Sequence, residues 1–115
     1  MDDLISPLVE TLRKTLTMVV RSAPSSGDSL EAVLSRDDLS RCCALLSEAF
    51  GPPVKEFDKA AKFDRATQKL VEHMGGIRVE QCLFLKQREN QHTAYAALWP
   101  WASDTTRVTL KIGLC

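Results

Sequence analysis

The chain carries no net charge: fifteen Lys and Arg balance fifteen Asp and Glu over 115 residues. That argues against a dedicated binder of nucleic acid or of a membrane surface, since both rely on a basic excess. It also lacks a long apolar run, and no stretch approaches the roughly 20 residues that span a bilayer. The start, Met1-Asp2-Asp3, has neither the positive charge nor the apolar core of a secretory leader. The four cysteines, Cys42, Cys43, Cys82 and Cys115, never form a Cys-x-x-Cys pair. Together these features read as reduced thiols in a cytoplasmic protein.

The chemistry-bearing motifs are equally sparse. Structural zinc sites take ligands from paired motifs. The two histidines, His73 and His92, form no such pairs with the cysteines, so no metal and no cofactor is expected. There is no Gly-rich phosphate loop, nucleophile elbow or clustered carboxylate pair. Cys82, set across a hairpin from Tyr95 or His92, is the best nucleophile available, and no activating residue accompanies it. The balance of the sequence is therefore against an enzyme.

What is present is a switch of period at Gly75-Gly76. Before it, apolar residues recur at helical spacing, and after it they alternate. Ser6-Pro7 reads as a cap and first turn. Leu8, Val9, Leu12, Leu16, Val19 and Val20 then share one arc of a helix over about residues 6–22. Pro24 to Ser29 is a loop, and Leu30 to Leu34 a short helical turn. Ser35-Arg36-Asp37-Asp38 has the capping-box pattern for a helix over 36–50, which Gly51 and Pro52-Pro53 terminate. A third helix over 58–74 buries Phe63, Leu70 and Val71. Strands follow at 77–88, 93–99 and 107–114, with a turn at Glu89-Asn90-Gln91, and short connections favour an antiparallel meander. The expectation is one domain over residues 1–115: a two-layer α+β fold with three N-terminal helices and then a three-stranded meander.

The sheet raises the question of function. Leu83, Leu85, Tyr95, Ala97 and Trp99 make the first two strands apolar on both faces, whereas a sheet with helices on one side alternates with polar residues. Something covers the second face: the first helix or another subunit. The last strand, 107–114, is a candidate open edge. Aromatic residues are only 6% of the chain, yet both tryptophans fall in Trp99-Pro100-Trp101, and Trp and Tyr are enriched at interface centres. Phe84, Tyr95, Trp99 and Trp101 are therefore the candidate interface or ligand-binding residues. Lys59, Lys62, Arg65 and Lys69 form a basic stripe on the third helix, but Asp58 and Asp64 interrupt it and no aromatic is interleaved for base stacking, so nucleic acid is not the expected partner. The functional expectation is a homodimeric interaction or regulatory module. The alternative is a small-molecule binder with a pocket between helices and sheet.

Overall fold

The stretch Thr15-Leu16-Thr17-Met18-Val19-Val20, four of whose six residues are β-branched, turns the chain from helix to strand earlier than its apolar spacing suggests. The computed structural model describes residues 5–22, 29–59, 62–73, 76–86 and 93–114. Helix α1 (Ile5–Thr15) already includes Ser6, so that residue is not its cap. Strand β1 (Met18–Ser22) follows at once, then β2 (Leu30–Ser35), a 3₁₀ turn at Arg36–Asp38 and helix α2 (Leu39–Phe50). Helix α3 (Arg65–His73) precedes β3 (Cys82–Lys86), β4 (Ala94–Pro100) and β5 (Arg107–Leu114). The turn expected at Glu89-Asn90-Gln91, together with His92 and Cys115, lies outside the described residues.

The expected order of three helices and then three strands is therefore overturned. The protein has three helices and a five-stranded antiparallel sheet of order β1-β2-β5-β4-β3. Strands β3, β4 and β5 form an antiparallel meander, with β3 beginning at Cys82 rather than at 77, and the β1-β2 hairpin joins it through β2 and β5. Two stretches differ from the expectation, each for its own physical reason. Leu16, Val19 and Val20 fit a helical arc, yet Met18 and Val20 also fit period two. Leu30 to Leu34 turns Leu30, Ala32 and Leu34 to the core and Val33 to the second face, with Glu31 its one polar residue, and so short a run has too little periodicity to separate helix from strand. The last strand is likewise not an edge, since β5 sits between β2 and β4.

Local chemistry fixes the helix ends. Gly51 takes φ 85° and donates its N–H to Ser47 O at 2.8 Å, closing α2. Gly76, at φ 89°, donates to Val71 O at 2.8 Å across the end of α3. The third helix starts seven residues later than expected. Asp64 caps it, accepting the Thr67 N–H at 2.7 Å. That bond lowers the Asp64 pKa. Ser35 accepts the Asp37 N–H at 3.3 Å. Asp38 does not complete the capping box; its Oδ2 takes the Thr17 N–H at 3.3 Å and ties the α1–β1 turn to the start of α2.

The first sheet face carries the core. Leu30, Ala32 and Leu34 of β2 align with Ile112, Leu110 and Val108 of β5, and these with Ala96 and Leu98 of β4. Leu8, Leu12 and Leu16 from the α1 segment and Cys42, Leu46 and Phe50 from α2 close over them. Phe84 meets Phe50 there, with ring centroids 6.2 Å apart. Each such side chain, fully removed from water, contributes about 1.5–3 kcal/mol. Among the described residues no helix is long and apolar enough to cross a membrane.

The two outer strands are treated differently. Beside β3, the Val54 and Lys55 N–H groups donate to Leu83 O at 2.9 and 3.3 Å, and the Leu83 N–H donates to Lys55 O at 3.0 Å. The Lys55 side chain, 4% exposed, turns inward. Its ammonium donates to the carbonyls of Glu56, Val79 and Gln81 at 2.8, 2.6 and 2.5 Å. Buried ammonium groups survive only when so satisfied. Beside β1, no strand pairs with the outer edge among the described residues.

Candidate docking face

The second face is covered over one half only. Val71 of α3 packs on Leu83 and Ala97, with Phe63, Ile77, Leu85, Tyr95 and Trp99 around them. The cover is thus α3 and its flanking segments, rather than α1, which lies on the first face with α2. Tyr95 stands over Gly113, its cross-strand partner. A Cβ at Gly113 would fall 2.9 Å from the tyrosine oxygen, so glycine is what admits the ring. The other half of the face, over β1, β2 and β5, is left to Trp101.

Trp101 reaches that half because Pro100 ends β4. The Pro100 position lies past the last β3 pair, Cys82 with Leu98, so its missing N–H breaks no ladder bond there. The Trp101 N–H donates to Arg107 O at 3.0 Å. Its indole Nε1–H donates to Thr109 Oγ1 at 2.7 Å. Under it, Thr109 is 4% and Val33 8% exposed. The guanidinium carbons of Arg107 and Arg21 lie 5.5 and 6.0 Å from the indole centroid, within cation–π range.

The turn before β5 is locked by Asp104. Its Oδ1 accepts the Thr106 N–H at 3.0 Å and the Thr106 hydroxyl at 2.5 Å, and its Oδ2 pairs with Arg107 Nε at 3.3 Å. The Thr106 bonds hold the Asp104 carboxyl below its ordinary pKa. Arg36 approaches the same turn, donating its N–H to Thr106 O at 2.8 Å and its guanidinium to Thr105 O at 3.4 Å.

Two hollows flank the indole. One, about 370 Å³, is lined by Val19, Val33, Ser35 and Arg107. The other, about 750 Å³, is lined by Arg36, Asp58, Arg78, Glu80 and Trp99. Arg21 and Trp101 belong to both. Val19, on the outer strand, is 70% exposed.

Of the four aromatic residues singled out from the sequence, the structure brings Trp99 and Trp101 to this cleft, puts Tyr95 farther along the same face, and sets Phe84 on the opposite one. Between helices and sheet, where a ligand pocket was the alternative, Leu12, Leu46, Phe50 and Phe84 pack as core, and a hollow of about 400 Å³ opens at the α2–β3 margin, lined by Cys43, Ser47, Phe57, Cys82 and Phe84. The basic stripe is split. Arg65 and Lys69 lie on α3, whereas Lys59 and Lys62 precede it and Lys59 pairs with Glu56 at 2.9 Å. Sequence reasoning missed Arg21, Arg36, Arg78 and Arg107 as site residues. Four separate stretches supply them, and no spacing along the chain joins them.

The thiols sit elsewhere. Cys82 pairs across the ladder with Leu98 rather than Tyr95. Burial pushes the Cys42 and Cys82 thiols up to about 12 and raises Cys43 as well, opposite to what a nucleophile needs. Only the backbone of His73 is described. Among the described residues, no three His, Cys, Asp or Glu side chains group as metal ligands. The chain matches no protein-family model, no curated protein and no solved structure.

Proposed function

We propose that the chain works by association, as a homodimeric interaction module of the cytoplasm, two copies meeting along the outer edge of β1. The observation that carries the reading is that this edge is unpaired among the described residues and displays Val19 at 70% exposure. An apolar outer strand is a template for pairing with another chain. A two-fold axis at Val19 sets the two valines side by side and Met18 of each copy against Val20 of the other. Arg21 forms a bulge between Val20 and Ser22, which confines the pairing to Met18–Val20. Zero net charge removes long-range repulsion between copies. The free thiols Cys42, Cys43 and Cys82 support a reducing compartment.

Light scattering tests the pairing. The expected mass is twice 12.8 kDa, reverting to one chain in Val19→Asp while the far-UV circular dichroism is unchanged. Trp101→Ala, away from the edge, keeps the dimer. A wild-type chain that remains at the single-chain mass throughout a concentration series overturns the reading.

A further inference from the structure

We infer that the two hollows beside Trp101 form one groove for an acidic peptide segment of a partner protein, its carboxylates on Arg21, Arg36 and Arg78 and an apolar side chain against the indole. The inference rests on reading this corner as an association surface, but not on the second copy, because edge pairing at β1 leaves the groove facing outward.

The charge is the first argument. Arg107 is engaged by Asp104 at 3.3 Å, but Arg78 meets Glu80 only at 3.9 Å and Arg36 has a long 3.4 Å bond to Thr105 O. Arg21 makes no ion pair with a carboxylate among the described residues. Asp58 and Glu80 are the acids that line the larger hollow, so Arg21, Arg36 and Arg78 leave it positive. A guanidinium presents five donors in a planar fork that matches a carboxylate.

The shape is the second argument. Both hollows are lined by Trp101 and Arg21, so a ligand touching Arg78 on one side and Val33 on the other crosses the indole. An extended chain does this, and a single small anion does not. Val19, Val33, Trp99 and Trp101 make the floor apolar, which favours carboxylates alternating with apolar side chains. Arg clusters that read acidic segments are a recurring mode of peptide recognition, and Trp and Arg are the residue types that anchor interfaces.

The probe is a fluorescein-labelled peptide of alternating glutamate and leucine, followed by fluorescence anisotropy. Binding is expected to weaken with salt. It is expected to fall by about tenfold or more in Arg21→Glu and in Trp101→Ala, with Trp101→Phe retaining part of the affinity. Trp101→Ala is expected to lose the peptide while keeping the dimer mass by light scattering, so loss of dimerisation and loss of peptide binding are read separately. Four outcomes overturn the inference: no binding; equal binding of the peptide with lysine in place of glutamate; binding unchanged in Arg21→Glu; or full displacement by inorganic phosphate or oligothymidine at matched concentration.

Discussion

The two faces of the sheet draw on similar apolar residues and use them in different ways. The first is continuous: five strands, α1 and α2 share one cluster in which Leu12, Leu46 and Leu110 are wholly buried. The second is divided. Val71 and its neighbours cover Leu83 and Ala97, while one indole, two guanidiniums and a threonine hydroxyl close the rest. A face closed by polar and amphipathic groups buries less hydrocarbon and is held more weakly than one closed by aliphatic side chains.

That contrast can be broken in graded steps. Phe84→Ala, on the continuous face, is expected to cost about 3–5 kcal/mol in urea unfolding, the usual range for emptying a large core site. Lys55→Met keeps the bulk but removes the donor from three carbonyls. A loss of about 1–3 kcal/mol is expected, with faster amide exchange at 79–83. Trp101→Ala, on the divided face, should cost only about 1–2 kcal/mol, for a hydrogen bond and two exposed cation–π contacts. If it costs as much as Phe84→Ala, the two faces are energetically alike and the contrast fails.

Asp104 gives a smaller, pH-dependent effect. Its folded pKa lies below the ordinary 3.8. Its contribution is therefore complete above that value and is lost as pH falls through the lowered one. Asp104→Asn should lower the melting temperature at neutral pH and flatten the acid limb below about pH 4. Smallest of all, Val19→Asp should move stability by no more than about 0.5 kcal/mol, as for a surface position, and be visible chiefly in mass.

The sequence was most legible where one face of an element meets solvent. Val108, Leu110, Ile112 and Leu114 alternate with Arg107, Thr109 and Lys111, and the β5 bounds were read correctly from that pattern. Gly51 and Gly76 mark helix ends because a positive φ suits glycine. Legibility failed at β2, where the buried Val33 on the second face blurs the period of a short strand, and at β1, whose residues serve a helical arc equally well. The polar side of β5 was misleading for another reason: Thr109 is polar yet buried, because the Trp101 indole bonds to it. The tryptophans drew attention to the site because they are rare. Its arginines did not, since only the folded sheet brings Arg21, Arg36, Arg78 and Arg107 to one corner.

The Lys55 bridge has a consequence for how far assembly can run. Val54 and Lys55 occupy the outer side of Leu83, and the buried ammonium fastens the 79–81 turn beside them. An incoming strand finds the Leu83 N–H and carbonyl already taken at that margin. Growth of the sheet is then one-sided. In the proposed pairing a strand-to-strand contact at β1 joins like to like, and the bridge at Leu83 obstructs the margin on which a next copy would add. Under the proposed pairing assembly stops at two copies, and a chain with Lys55 replaced is the form in which open-ended fibres should be sought.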